Sequence, residues 1–150
     1  MVNIRYYMIR EVQLKDKEQW EELFRGYAKF YKVPMNDQIL ETVWGWLHDK
    51  NHELQSLCFE IDDKVVGLAH YRKLLSPLKG KYIGYLDDLF VSPEYRGQKI
   101  GRKILDKLQE ISYANDWNIF RWQTDEHNFT AKKLYDQVAT KTIKEVYELK

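Results

Sequence analysis

Residues 85–102 read Tyr-Leu-Asp-Asp-Leu-Phe-Val-Ser-Pro-Glu-Tyr-Arg-Gly-Gln-Lys-Ile-Gly-Arg. An apolar strand runs into a turn carrying Gly97 and Gly101, then directly into a helical repeat. The first turn of a helix leaves amide N–H groups without intrahelical partners and carries roughly half a positive charge. Glycines there let a ligand approach the backbone closely, so the segment suits a diphosphate. Arg96, Lys99, Arg102 and Lys103 add cationic side chains. The same pattern also fits a plain strand-to-helix connection whose glycines only turn the chain. Neither G-x-x-x-x-G-K-(S/T) nor G-x-G-x-x-G occurs, which argues against a P-loop nucleotidase and a dinucleotide fold.

Asp87 and Asp88 stand side by side within the apolar run. A carboxylate in a central strand must be paired or wet, because burying it alone costs several kcal/mol. Strand alternation sends neighbouring side chains to opposite faces, so only one of the two is expected to meet a cleft. His70 fits either a cleft wall or a hydrogen-bonded place within a strand. Cys58, the single cysteine, lies in an apolar run and reads as a buried, inert thiol. Ala131, Tyr135 and Val138 share one helix face, so Tyr135 points inward, where its hydroxyl needs a partner. No set of His, Cys, Asp and Glu has metal-ligand spacing, and no metal is expected.

The elements that must position these groups follow from periodicity. Residues 3–12 are β-branched and aromatic enough for an opening strand. Trp20, Leu23, Phe24, Tyr27 and Tyr31 recur at helical spacing over residues 16–31. Pro34 stops that helix, and Asn36 or Asp37 caps a second one carrying Leu40, Val43, Trp44 and Leu47. Residues 54–61 and 64–75 read as strands joined by a hairpin at Asp62-Asp63. Lys81–Val91 is the next strand, and Ile100, Ile104, Leu105, Leu108 and Ile111 mark the helix after it. A short strand at 118–123, a helix at 128–138 and a closing strand at 140–149 complete the order β-α-α-β-β-β-α-β-α-β. Hairpins followed by strand–helix–strand units imply an α/β fold with a mixed sheet and helices on its faces.

The 150 residues are 44% hydrophobic, enough for one domain (residues 1–150) with a real core. The net charge is +1 with both signs spread along the chain, so no broad nucleic-acid surface is indicated. Neither a signal-peptide pattern nor an apolar run long enough to cross a bilayer is present, and with one cysteine the expected location is the cytoplasm.

The segment around residues 96–101 resembles the cofactor signature of the GNAT superfamily of N-acetyltransferases, (Q/R)-x-x-G-x-(G/A), preceded by a hydrophobic strand and V-x-P. Arg96, Ile100, Gly101, Val91 and Pro93 fit it, whereas Lys99 stands where the signature has its central glycine. Lys99 is expected to impose a non-glycine backbone geometry without abolishing binding. Residues 82–105 are similar to the corresponding strand and helix of spermidine/spermine acetyltransferases and of histone/polyamine acetyltransferase-like proteins. Phe120-Arg-Trp-Gln-Thr-Asp-Glu-His-Asn-Phe-Thr-Ala-Lys-Lys-Leu-Tyr matches their next motif, with Asn128 and Tyr135 seven residues apart.

The resemblance implies a mostly antiparallel sheet splayed into a V that admits acetyl-CoA, and direct transfer of acetyl to a small-molecule primary amine. It assigns the cofactor to the backbone of Leu89, Phe90 and Val91, to residues Arg96, Gly97, Gln98, Lys99, Ile100, Gly101 and Arg102, and to Asn128 along the pantetheine arm. Tyr135 would protonate the departing sulfur, Asp87 would bind the amine or deprotonate it through water, and Tyr31 would touch the acceptor. Asp88 reads as structural. A homodimer is the family habit. Two rival readings are a CoA-binding module without catalysis, which Lys99 favours, and an acetyltransferase for protein lysines or N-termini.

Overall fold

The computed structural model describes residues 6–150. The opening-strand expectation for residues 3–5 lies outside that range. The strands are β1 (Tyr7–Arg10), β2 (Gln55–Ile61), β3 (Lys64–Ser76), β4 (Lys81–Val91) and β5 (Phe120–Arg121). The helices are α1 (Lys17–Phe30), α2 (Asp37–His48), α3 (Ile100–Ala114) and α4 (Phe129–Val138), with 3-10 turns at Leu14–Asp16 and Pro93–Tyr95. The sheet runs in the order β1-β2-β3-β4-β5, antiparallel throughout except for the parallel pair β4–β5.

Alternation along the central strands divides the core in two. Leu57, Phe59, Ala69 and Leu86 pack on Ile100, Ile104, Leu105 and Leu108 of α3. Cys58, Leu68 and Phe90 face the other way, onto Trp20 and Phe24 of α1 and Leu40 and Trp44 of α2. Burial pushes the Cys58 thiol up to about 11, so it stays protonated and inert.

Local chemistry fixes the element ends. The Asn36 side chain caps α2 by accepting the Ile39 amide at 2.8 Å. Asp62 and Asp63 take φ values of 48° and 63°, the left-handed pair that a tight hairpin turn requires. Arg10 ties the start of α1 to the sheet, reaching Asp16 at 2.7 and 3.0 Å and Glu60 at 3.1 Å.

β4 and β5 pair only at Gly84↔Phe120 and Tyr85↔Arg121. Beyond them the two strands diverge, and the edge of β4 from Leu86 onward is left without a strand beside it. The Phe120 ring crowds Gly84, coming within 2.7 Å of where a Cβ would stand. Gly84→Ala is expected to lose about 1–3 kcal/mol through overpacking, read as a lowered urea midpoint.

The closing strand expected at 140–149 does not form in the chain. Those residues lie outside the sheet, with Ile143 95%, Tyr147 87% and Leu149 104% exposed. Their alternating pattern suits a strand, but a strand needs an edge to pair with, and β5 is only two residues long.

Candidate active site

The divergence of β4 from β5 opens a cavity of about 740 Å3, ample for a cofactor-sized ligand. Leu89, Phe90 and Val91 line one wall, while Tyr31 at the end of α1 and Tyr135 and Asn128 of α4 line the other.

At the floor lies the β4–α3 turn, where Arg96, Gly97, Lys99, Ile100, Gly101 and Arg102 all reach the cavity. Gln98 does not line it, and its side-chain oxygen is buried without a partner. Among the described residues, no acceptor meets the backbone amides of residues 97–102. Lys99 corrects the sequence expectation. It adopts φ 62° and ψ 23°, the left-handed conformation a glycine would take, so the turn keeps its geometry despite the side chain. An L-residue there is strained by roughly 1 kcal/mol. Lys99→Gly is expected to hold stability or raise it by up to about 1 kcal/mol, because relief of strain outweighs the added freedom of the unfolded chain. A calorimetric melt checks this.

Arg96 helps hold the turn. Its Nε donates to the Val91 carbonyl at 3.1 Å, and its guanidinium lies 5.2 Å from the Phe30 ring and 5.3 Å from the Phe90 ring. Lys99, Arg102 and Lys103 (which sequence reasoning placed nearby) line the cavity with it, with Asp106 beside Arg102 at 3.5 Å.

Across the cavity, Asn128 uses both ends of its side chain. Oδ1 accepts the Ala131 amide at 3.3 Å as the cap of α4, and Nδ2 donates to the Tyr31 hydroxyl at 3.0 Å. That second bond joins α1 to α4, two elements 97 residues apart. Tyr135 packs edge-on against Trp122, and burial pushes its hydroxyl up to about 12, with the neighbouring Tyr31 adding to the shift.

The two aspartates depart from strand alternation. His70 pairs with Asp88 and Tyr71 with Leu86, which leaves Asp87 as the extra residue of a β-bulge. Asp88 therefore bonds His70 at 2.8 Å and Asp87 bonds Arg72 at 3.0 Å, with His70 and Arg72 two apart on β3. Both carboxylates thus lie on the α1 face of the sheet. The expectation that one would turn away fails because a bulge resets the alternation. Neither aspartate lines the cavity proper. Asp88 directly precedes Leu89, at which the β4 wall begins.

The model of the GNAT acetyltransferase family matches residues 17–139. The chain belongs to the GNAT acetyltransferase family. It is similar to a D-amino-acid N-acetyltransferase of Saccharomyces cerevisiae, 29% identical over 150 residues, which cover 99% of this chain and 92% of that one. A thialysine N-epsilon-acetyltransferase of Sus scrofa is 36% identical over 81 residues, 54% of this chain and 47% of its own. A solved ribosomal-protein-alanine N-acetyltransferase from Brucella melitensis has the same fold, with a TM-score of 0.82 at 20% identity over 97% and 99% of the two chains. The divergent sheet with helices on both faces is thus the GNAT fold, and the chain is an N-acetyltransferase.

GNAT enzymes use acetyl-CoA, and the residues present fit it. Six consecutive amides without acceptors at a helix start suit a diphosphate, and the unpaired β4 edge suits an extended amide-bearing arm. Among the described residues, no group of three or more His, Cys, Asp or Glu could hold a metal. No described helix is long and apolar enough to cross a membrane.

Proposed function

We propose that this N-acetyltransferase acts on the primary amine of a small, cationic molecule, a polyamine or an amino-acid-like compound, by direct transfer within a ternary complex. The observation that carries the reading is the open β4 edge, which runs from the free amides of the α3 turn to two carboxylates at a bulge, with Tyr135 opposite. The whole-length similarity to a D-amino-acid N-acetyltransferase supports a small acceptor.

Acetyl-CoA supplies the thioester, and the chain supplies the rest. Amides of residues 97–102 with Lys99, Arg102 and Lys103 hold the diphosphate. The free edge around Phe90 offers the N–H groups of Leu89 and Val91 to the thioester oxygen, while that of Phe90 is spent on β3. Asn128, fixed by its cap and its bond to Tyr31, lies along the pantetheine arm, and Tyr31 meets the acceptor. Tyr135 holds its proton at neutral pH and delivers it to sulfur. A phenol at about 12 is a weaker acid than a thiol at roughly 8.5, so the transfer is favourable only if Tyr135 takes a proton from the reacting nitrogen in the same event. Asp87 spends both its oxygens on Arg72, which leaves it at the margin of the amine site.

A homodimer belongs to the same proposal. The exposed tail follows directly on Val138 and Ala139, which with Leu105, Leu108, Phe120 and Trp122 line a groove of about 140 Å3 at the β5 end of the sheet. A second copy's tail would cover that groove. Light scattering on the full chain should give a dimer, and Ile143→Asp with Tyr147→Asp a monomer; a monomeric wild type contradicts it.

An amine panel with acetyl-CoA and mass detection tests the acceptor class. Acetylation of polyamines or free amino acids is expected. Acetyl-CoA binding without turnover on any amine would instead identify a binding module, and products confined to protein lysines or N-termini would exclude the small-molecule reading.

A further inference from the structure

A polar chain, Trp20–His70–Asp88, crosses the α1 side of the sheet, and none of the roles above uses it. Trp20 Nε1–H donates to His70 Nε2 at 2.9 Å, and His70 Nδ1 lies 2.8 Å from Asp88 Oδ2. An indole N–H only donates, so Nε2 must accept, and the ring proton sits on Nδ1, from which it donates to Asp88. A second proton on Nε2 would set two N–H groups against each other where Trp20 is 0% and His70 1% exposed. Phe24 stands edge-on to the imidazole and Trp44 packs against the indole, so both rings are fixed by the core. With both nitrogens committed, His70 has no lone pair to offer a substrate and is not itself a base.

What the chain fixes is Asp88. One oxygen of this carboxylate is held by a donor whose far end is anchored in the core, yet the side chain remains 23% exposed. Tyr27 faces it from α1, its hydroxyl kept protonated by burial and by the Asp88 charge. Asp87, by contrast, meets Arg72 through three N–H···O contacts of 3.0–3.3 Å that use both its oxygens. A carboxylate already neutralised by a guanidinium attracts a second cation weakly.

We infer that Asp88, held by Trp20 and His70 as positioning residues, is the carboxylate that receives the acceptor's ammonium group, and that the acceptor is a cationic primary amine. This rests on the acetyl-transfer reading above and deepens it. The ammonium gives one proton to Asp88 and on to water. The neutral nitrogen then forms the C–N bond as the C–S bond breaks, and its second proton passes through Tyr135 to the sulfur.

The test compares spermidine and lysine, cationic near pH 7.5, with hydroxylamine, neutral there, and follows acetyl-CoA affinity by calorimetry alongside. Asp88→Asn should lower kcat/KM for the cationic amines about 100-fold and Asp87→Asn less than about 5-fold, the scale of a lost charge-assisted hydrogen bond against a lost peripheral one. His70→Leu should lower it about 30-fold, while His70→Asn, whose amide nitrogen falls where Nδ1 stood, should recover to within about 5-fold. Hydroxylamine turnover and acetyl-CoA affinity should move less than about threefold. A larger loss for Asp87→Asn, equal losses for the two His70 variants, or an equal loss with hydroxylamine overturns the assignment. Should the His70 variants fail to fold, nitrogen NMR of wild-type His70 decides the relay: a neutral ring protonated on Nδ1 supports it, and a proton on Nε2 overturns it. A wild type that binds acetyl-CoA and acetylates none of the three probes overturns the transfer reading and this assignment with it, whereas altered rankings with wild-type turnover intact overturn the assignment alone.

Discussion

Tyr135→Phe lowers kcat by about 10²–10³-fold while leaving acetyl-CoA affinity within about twofold, the range expected when one positioned proton donor is lost. The ring stays, so its packing on Trp122 and its contribution to the cavity wall are kept. Only the hydroxyl is removed, and with it the relay between nitrogen and sulfur. Burial holds that hydroxyl at about 12, so Tyr135 keeps its proton through the whole ordinary assay range, and no alkaline fall in rate below pH ~11 should come from it. Steady-state kinetics with a calorimetric titration reads both quantities. A variant retaining more than about a tenth of the wild-type kcat removes Tyr135 from the chemistry.

Arg10→Met destabilises the fold by about 3–5 kcal/mol, because it strands a buried charge. Asp16 is 2% exposed, and its cationic partner is Arg10, with further support from the Gln13 amide at 2.7 Å. The Arg10 hydrogen bonds hold the Asp16 carboxyl below the usual carboxylate range. A group depressed on folding contributes stability above its unfolded value of roughly 4, and that contribution is lost as pH falls through the folded value. The deficit of Arg10→Met is therefore largest near neutrality and shrinks on acidification. Urea unfolding at pH 7 and 3.5 separates this from a pure packing defect, which would give the same deficit at both. Since Arg10 seats the start of α1, the damage reaches Tyr27 and Tyr31 at the other end of that helix.

Much of the architecture was legible because it rests on local rules. The apolar stripe of α1, the Asn36 cap and the Asp62-Asp63 turn each depend on a few neighbouring residues. The α3 turn was legible for the same reason, since the first turn of any helix leaves amides free. Lys99 misled in one respect: residue type suggested altered geometry, while the rest of the turn is rigid enough to force a lysine into a glycine's conformation.

What sequence could not supply was pairing. The bulge at Asp87 exists only relative to β3, so alternation placed the two aspartates on opposite faces when they share one. The bond between Tyr31 and Asn128, and that between Trp20 and His70, join residues 97 and 50 positions apart. Either option left open for His70 was compatible with its neighbours in sequence, and only the indole N–H decides between them. The tail at 140–149 failed for a related reason: its composition fits a strand, but whether it forms one depends on an edge that composition does not reveal.

The account depends above all on the backbone at the β4–α3 junction. Amide NMR of the full chain during titration with CoA addresses it most directly. The largest shifts should fall on Gly97, Gln98, Lys99, Ile100, Gly101 and Arg102, and pantetheine, which lacks the diphosphate, should leave them in place. Saturating CoA that leaves those six amides unmoved would contradict the account.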